Sequence, residues 1–171
     1  MKETYKKLYE KNAAFYQKHP KAKKILVLGN FALTFFFIFT YGAFVLYAFI
    51  KPLAWEDWVK ILLFPGICLG LVSVLRLAIE RDRPYSEKGA NITPLLQKTG
   101  KDNGSFPSRH TACAFIISLV ILAYFPWLGF SLFPFALLLS YARFALGLHY
   151  PTDLLGGAIL AFVCGLPVIL F

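Results

Sequence analysis

The 171-residue chain is too apolar to be a soluble globular protein of its size. Hydrophobic residues make up 58% of it and charged residues only 16%, whereas ordinary soluble domains have about 25% charged residues and small ones cannot bury so much apolar surface. The net charge of +9 does not indicate nucleic-acid binding, because the basic residues are concentrated beside apolar runs. We therefore predict an all-α integral membrane bundle that forms a single domain, 1–171, contacts the lipid bilayer and needs no obligate protein partner.

The first 24 residues form a basic segment with amphipathic spacing. Aromatic residues and leucine recur near helical spacing over residues 2–18, with lysines between them. This pattern predicts a helix lying on the membrane surface, and a frayed basic tail is the alternative. The segment is too long, and the apolar run after it too extended, for a signal peptide.

Five apolar runs follow and predict about five transmembrane helices over residues 25–171. They cover residues 25–50, 58–79, 110–124, 127–146 and 151–171. Crossing the bilayer takes roughly 20 helical residues. Gly66 and Gly70 predict a face where another helix packs closely. Cys68, Cys113 and Cys164 lie inside apolar runs without paired spacing, so we expect small buried residues and no metal or disulfide.

Polar residues of the second half form three clusters at the ends of these runs. The clusters are Arg76 with Arg83; the run Ser105-Phe106-Pro107-Ser108-Arg109-His110; and Arg143, His149 and Asp153. The first cluster ends the second span, the second begins the third span, and the third joins the fourth span to the fifth. All three must therefore emerge on the same side of the membrane, which predicts one shared site. Ionisable groups at this depth are costly and are functional candidates by default.

Local spacing gives two of the clusters a predicted geometry. Arg76 and Arg83 are seven residues apart, nearly two helical turns, so we expect both on one helix face about 10 Å apart along the axis. Pro84 predicts that this helix ends near Arg83. Ser108 is expected to cap the third span, whose free N–H groups favour an anion.

The third cluster adds a histidine and a carboxylate at short spacing. Asp153 follows His149 by four residues, so its carboxylate can fold back to the ring, fix the tautomer and support an imidazolium. We interpret the neighbouring charges Glu80, Arg81 and Asp82 as a solvated, self-paired edge without a catalytic role.

Together these groups suit phosphoryl transfer. Four arginines can surround a tetrahedral dianion with forked donors, and two histidines can divide the roles of nucleophile and acid. Taken singly, an arginine near a helix end is usually an interfacial anchor, and a histidine at a helix start is usually a cap. Their convergence by topology favours phosphoryl transfer to His149, with His110 protonating the leaving oxygen.

At these residues the chain resembles the type-2 phosphatidic acid phosphatase superfamily. The family pattern is a basic residue, six others and Arg-Pro; then Pro-Ser-Gly-His; then Ser-Arg, five others, His, three others and Asp. The chain reads Arg76 to Arg83-Pro84, Pro107-Ser108-Arg109-His110, and Ala142-Arg143 to His149 and Asp153. All spacings match, and Arg76, Arg109 and Ala142 replace the family's Lys, Gly and Ser.

The resemblance implies a bacterial lipid phosphatase, a hydrolase of phospholipid metabolism that needs neither cofactor nor metal. His149 would form a phosphohistidine, Asp153 would orient it, and His110 would act as general acid. The implied phosphate-binding residues are Arg76, Arg83, Ser108 and Arg143, to which the side chain of Arg109 adds a candidate contact. Plausible lipid substrates are phosphatidylglycerophosphate, phosphatidic acid and undecaprenyl diphosphate.

The charge distribution predicts which side of the membrane the site faces. Eight lysines precede the first span and six basic residues, among them Lys98 and Lys101, lie between spans two and three or at their ends. The opposite side offers only Lys51 and Lys60. By the positive-inside rule, the N-terminus and the site share the cytoplasmic side.

Two other functional classes fit the composition less well. An anion or phospholipid transporter would use the arginines as a path, but spans three and five have apolar middles. A metal-dependent phosphotransferase would use Glu80, Asp82 and Asp102, but these carboxylates form no repeated motif.

Overall fold

The structure, a computed structural model, describes residues 2–96 and 104–170, and for Lys2 the backbone alone. Lys98, Lys101 and Asp102 lie outside the described residues. Every regular element in the described ranges is helical, which confirms the all-α prediction. The helices are α1 (Lys2–Lys18), α2 (Pro20–Ile50), α3 (Trp55–Trp58), α4 (Phe64–Ile79), α5 (Arg109–Tyr124), α6 (Pro126–Ala145) and α7 (Pro151–Leu170). A π-helical turn, Val59–Leu63, joins α3 to α4.

Four helical stretches in the described ranges are long and apolar enough to cross a membrane. They are Pro20–Ile50, Trp55–Ile79, Pro126–Ala145 and Pro151–Leu170. The shorter apolar helix α5, with 16 residues, packs against α2, α4, α6 and α7 and has most of its side chains buried. The predicted multi-pass membrane bundle is therefore confirmed, with α5 at its centre.

The outer faces of these helices are apolar. Phe39 on α2, Leu77 on α4 and Phe130 on α6 are each about 70% or more exposed. Exposed apolar surface of this extent marks contact with a membrane or partner, and on helices of spanning length it fits lipid.

Helix α1 packs with one face against the loops at one end of the bundle, while its other face points outward. Its residues Tyr5, Tyr9 and Ala13 are buried in a cluster with residues of the loops before α5 and before α7. The Tyr9 hydroxyl donates to the carbonyl oxygen of Thr93 at 3.0 Å and accepts from the N–H of Leu95 at 3.0 Å. The predicted amphipathic helix is present, but much of its aromatic face covers these loops instead of the membrane.

The glycine pair in α4 does not form the close helix contact that its spacing predicts. A Cβ atom built on Gly66 or Gly70 meets no described atom within 4 Å. Helix α4 instead buries Cys68, Val72 and Arg76, which recur every four residues on another face. The expectation of a packing face at the glycines is wrong, because larger side chains already provide the contact. The three cysteines are free, and Cys68 is buried.

Candidate active site

The three polar clusters meet at one end of the bundle, where α4 ends, α5 begins and α6 connects to α7. The members with the least exposure are Arg76, Arg83, Ser108, Arg143, His149 and Asp153, each at most 9% exposed. Direct bonds tie the clusters together. Arg76 Nε donates to the Pro107 carbonyl at 3.0 Å, and the Ser108 N–H donates to the Asp153 carbonyl at 2.8 Å. These segments therefore meet where the order of the spans predicts.

Arg76 and Arg83 reach the site by different routes. Helix α4 ends at Ile79, and Glu80 takes the left-handed conformation, with φ of 43°, as its C-terminal cap. The predicted helix end near Arg83 is therefore wrong, and the two arginines do not share a helix face. Residues 80–83 run outside the helix, and Arg83 Nη1 donates to the Leu148 carbonyl at 3.2 Å.

The ring of His149 is held through Nδ1. This nitrogen lies 3.0 Å from the carbonyl oxygen of Ser105 and 3.5 Å from Asp153 Oδ2. A carbonyl oxygen only accepts, so Nδ1 carries the proton that it donates to Ser105, and the lone pair is on Nε2. The expected contact with Asp153 exists, but the shorter bond, which fixes the tautomer, is to a backbone carbonyl. A backbone acceptor in a loop has no sequence signal.

Burial keeps the imidazole of His149 neutral. It lowers the pKa of His149 from its ordinary 6.5 to about 4. The nearby cations Arg83 and Arg143 act in the same direction, and the carboxylate of Asp153 opposes them. A neutral ring with a free Nε2 lone pair is the form that attacks phosphorus.

Asp153 is fully buried and both of its carboxylate oxygens are engaged. Oδ2 accepts from the Tyr150 N–H at 2.9 Å, and Oδ1 accepts from Arg81 Nη1 at 2.8 Å. The predicted self-pairing of Glu80, Arg81 and Asp82 is thus wrong for Arg81, whose side chain turns inward to α7. No local pattern signals this contact, because the two residues are 72 positions apart in the chain.

The space beside this network is lined by charges of both signs. A cavity of about 350 Å³ is lined by residues 76–77, 80–83, 86 and 104, which include the arginines Arg76, Arg81 and Arg83 and the carboxylates Glu80 and Asp82. Arg143 is 9% exposed, and its buried Nε has no hydrogen-bond partner among the described residues. Buried guanidinium donors of this kind are suited to a phosphate dianion.

The start of α5 carries the remaining predicted residues. Ser108 caps the helix as predicted: its Oγ accepts from the Thr111 N–H at 3.5 Å and from Thr111 Oγ1 at 3.1 Å. Both bonds use lone pairs, so the hydroxyl proton of Ser108 stays available to an anion.

Arg109 and His110 lie on the flank of α5 that faces α2. They line a groove of about 150 Å³ whose other residues, including Thr34 and Phe37, come from α2, α5 and α6. Arg109 is exposed, with Nη2 3.5 Å from Ser73 Oγ, and no carboxylate in the described ranges forms an ion pair with it. Within residues 2–96 and 104–170, no three His, Cys, Asp or Glu residues cluster as metal ligands.

The family assignment rests on the segment that carries all of these residues. Residues 57–171 match the family described as the PAP2 superfamily. The chain belongs to the PAP2 superfamily. The resemblance seen in the three motifs is confirmed by this match, which extends over the described helices from α4 to α7.

Curated relatives are phosphatases of membrane lipids. The chain is 40% identical over 63 residues to undecaprenyl-diphosphatase BcrC of Bacillus subtilis, in a match covering 37% of the chain and 33% of that protein. It is 35% identical over 92 residues to a lipid A 4'-phosphatase of Bacteroides thetaiotaomicron, covering 52% of the chain and 41% of the relative. In both cases the match spans less than half of the relative's length.

Two solved structures have the same fold. LpxE of Aquifex aeolicus superposes with a TM-score of 0.67 at 24% identity, over 90% of this chain and 88% of that one. The phosphatidylglycerolphosphate phosphatase of Bacillus subtilis gives 0.57 at 22% identity, over 98% and 93%. At these identities the likeness establishes the fold.

Proposed function

We propose that this chain hydrolyses a phosphomonoester or diphosphate of a membrane lipid through a phosphohistidine intermediate on His149. The observation that carries the proposal is the buried, neutral His149, whose Nδ1–H is held by the Ser105 carbonyl and whose ring lies close to the buried guanidinium of Arg143. A neutral nucleophile next to a buried cation suits attack on an anionic phosphoryl group.

In the first step, Nε2 of His149 attacks phosphorus. The new P–N bond forms as the P–O bond to the lipid breaks, and the leaving oxygen takes a proton from the imidazolium of His110. Arg76, Arg83 and Arg143 stabilise the charge on the equatorial oxygens. The positive ring formed at His149 is balanced by the carboxylate of Asp153, 3.5 Å from Nδ1.

In the second step, water attacks the phosphohistidine. His110, now neutral, takes the proton from that water as the new P–O bond forms. The P–N bond breaks, its electron pair returns to Nε2, and inorganic phosphate leaves. Both histidines return to their starting protonation states, so the cycle closes without an external reactant other than water.

The substrate class follows from the surroundings of His110. The groove that His110 lines with Arg109 is apolar along α2 and α5, and Ile38 of α2, which also lines it, is 61% exposed on the outer face of the bundle. We place the lipid part of the leaving group there, with its phosphate end at Arg109. Undecaprenyl diphosphate and phosphatidylglycerophosphate keep a phosphate on their leaving groups, whereas phosphatidic acid does not.

The charge bias supports a cytoplasmic site. The eight N-terminal lysines belong to or flank α1, and α1 packs directly on the loops that hold Leu148 and Tyr150. Under the positive-inside rule, this end of the bundle faces the cytoplasm. Such an orientation favours a newly made inner-leaflet lipid as substrate.

The test is phosphate release by the protein purified in detergent, with a chelator present, from each of the three lipids. We expect release by the wild-type chain and loss of at least about a thousandfold in His149→Ala, because the nucleophile is removed. Rapid quenching with lipid labelled in the transferred phosphate should trap an acid-labile, alkali-stable phosphoprotein that His149→Ala lacks.

His19→Ala is the matched control. His19 is the exposed histidine of the α1–α2 junction, where its Nδ1 contacts the Phe15 carbonyl at 2.8 Å. This variant should keep wild-type release and labelling. Full activity in His149→Ala, or release by the wild-type chain only after adding a divalent metal, would contradict the phosphohistidine mechanism.

A further inference from the structure

Arg81 connects the polar network to α7 through its side chain. Its Nη1 lies 2.8 Å from Asp153 Oδ1 and 2.7 Å from Thr152 Oγ1. Its guanidinium carbon lies 4.4 Å from the ring centroid of Tyr150, over the aromatic face. The side chain is 21% exposed whereas that of Asp153 is fully buried. Three simultaneous contacts fix this arginine in place far more firmly than a surface ion pair.

The backbone of the same residue reaches the nucleophile by a second route. The Ser105 N–H donates to the Arg81 carbonyl at 2.7 Å, and the Ser105 hydroxyl donates to the Asp82 carbonyl at 3.2 Å. Ser105 in turn offers its own carbonyl to His149 Nδ1 at 3.0 Å. The segment around Arg81 therefore holds both groups that contact Nδ1.

Charge explains why the side chain matters to the reaction. A fully buried carboxylate without a cation would strongly attract a proton to the nearby imidazole of His149. The pairing with Arg81 uses Oδ1 and partly offsets the negative charge, while Oδ2 stays directed at Tyr150 N–H and His149 Nδ1. The nucleophile remains neutral before attack, and the carboxylate remains oriented to support the imidazolium that attack creates.

We propose that Arg81 is a positioning residue for the PAP2 reaction in this chain, acting on His149 through Asp153 and not through the transferred phosphate. This inference rests on the function proposed above and adds Arg81 to the residues that the motifs supply. The charged and titratable groups facing His149 are Arg83, from the loop after α4, Arg143 on α6 and Asp153 on α7, with Tyr150 and Tyr5 of α1 beside the carboxylate.

The test compares Arg81→Gln and Arg81→Lys with the wild-type chain over a range of pH. For Arg81→Gln we expect kcat to fall about 10- to 100-fold, less than the loss seen when the orienting aspartate of a catalytic triad is altered, with KM changed less than about threefold. The acid limb of kcat/KM should move to higher pH by about one unit, because the carboxylate without Arg81 favours the protonated ring. Arg81→Lys keeps the positive charge, so its kcat and the position of its acid limb should stay close to those of the wild-type chain.

The direction in which the acid limb shifts follows from the protonation state of His149. Its pKa is lowered to about 4 in the folded protein, so the neutral, active ring persists down to acidic pH. Losing the cation raises that pKa, so the inactive, protonated ring appears earlier as the pH falls. Titration of the substrate phosphate is common to all variants and cancels in the comparison.

Asp153→Asn separates this role from a general structural one. In the Asp153→Asn background, Arg81→Gln should produce no further shift of the acid limb and little further loss of kcat, because the two residues act as a unit. Lys11→Ala, which removes an exposed cation of α1 on the same side, is the control and should leave the profile unchanged. Size-exclusion chromatography in detergent checks that each variant is folded.

The outcomes distinguish the two proposals. A wild-type chain without His149-dependent release would overturn the proposed function and this inference with it. An active wild-type chain whose Arg81→Gln variant keeps the wild-type acid limb, or changes KM alone, would overturn the role of Arg81 and leave the proposed function standing. Additive effects of Arg81→Gln and Asp153→Asn would do the same.

Discussion

At the scale of single residues, Arg109 permits a prediction about substrate choice. Replacing it by glycine, the family's usual residue, removes a cation from the groove shared with His110. We expect KM to rise about 10- to 100-fold for undecaprenyl diphosphate and phosphatidylglycerophosphate, because a hydrogen bond to a charged group contributes about 1.5–3 kcal/mol. For phosphatidic acid, whose leaving group is uncharged, KM should change less than about threefold. Steady-state phosphate release from the three lipids measures this.

Arg109→Lys is the matched variant, because it keeps the positive charge without the forked guanidinium. For the two lipids whose leaving group keeps a phosphate, the KM of Arg109→Lys should lie between that of the wild-type chain and that of Arg109→Gly. An equal rise of KM for all three lipids would show that Arg109 acts as a general membrane anchor and not on the leaving group.

Among the site residues, short sequence spacing predicted contacts well and long separation concealed them. The interval from His149 to Asp153 indicated that the two side chains are neighbours, and they lie 3.5 Å apart. Ser108 was recognisable as a helix cap because its signal is local. The Ser105 carbonyl and the Arg81 side chain come from segments 44 and 72 residues away from their partners, and no local pattern identifies them.

At the scale of elements, hydropathy located the helices, and packing decided their ends and faces. Four predicted spans begin and end within three residues of the observed helical stretches, with Trp55–Ile79 counted as one stretch, while α2 begins at Pro20, five residues before the predicted start. Pro84 suggested a helix end near Arg83, but the left-handed Glu80 ends α4 four residues earlier. The spacing of Gly66 and Gly70 is compatible with a packing face, but it does not show whether another helix lies against them. In the assembled bundle, no described atom lies within 4 Å of a Cβ atom added to either glycine.

The turn after α6 provides a prediction about stability. Gly147 has φ of +80°, and a Cβ atom there would lie 2.9 Å from the ring of Tyr9 on α1. We expect Gly147→Ala to destabilise the folded protein by about 1–3 kcal/mol, because the backbone is strained for alanine and α1 must shift. Thermal unfolding in detergent, followed by tryptophan fluorescence, measures the change.

Gly70→Ala is the control for that substitution. Gly70 is in a helix, and a Cβ atom added to it would meet no described atom within 4 Å, so alanine should be neutral or slightly stabilising. A Gly147→Ala variant as stable as Gly70→Ala would mean that α1 does not hold this turn in the detergent-purified protein.

At the scale of the whole molecule, α1 and the active-site loops occupy the same end of the bundle. Tyr9 bonds to Thr93 and Leu95, and Asn12 Nδ2 donates to the Ala145 carbonyl at 3.1 Å. The residue Lys51 follows α2 at the opposite end and is exposed. The side of the membrane that α1 faces is therefore also the side that the site faces. The lysines around α1 favour the cytoplasmic side for both.

Cysteine labelling in spheroplasts tests which end of the bundle faces the cytoplasm. With a membrane-impermeant maleimide, we expect Lys51→Cys to be labelled in intact cells and Lys11→Cys only after permeabilisation, because the charge bias predicts a cytoplasmic α1. The parent chain gives the background of its free cysteines, two of which are buried. The reverse pattern would place the site outside and would favour a lipid of the outer leaflet as substrate.

The sequence by itself determined the membrane-helical class, the approximate spans and the shared end of the polar clusters. It did so because a chain crossing lipid must satisfy its backbone internally and must alternate sides, so hydropathy and connectivity are sufficient. Tertiary structure decided the partner of Asp153, the tautomer of His149 and the docking of α1, whose bonds join residues 72, 44 and 84 positions apart. Contacts at such separations depend on how the helices pack, because packing alone brings these side chains and carbonyls within bonding distance.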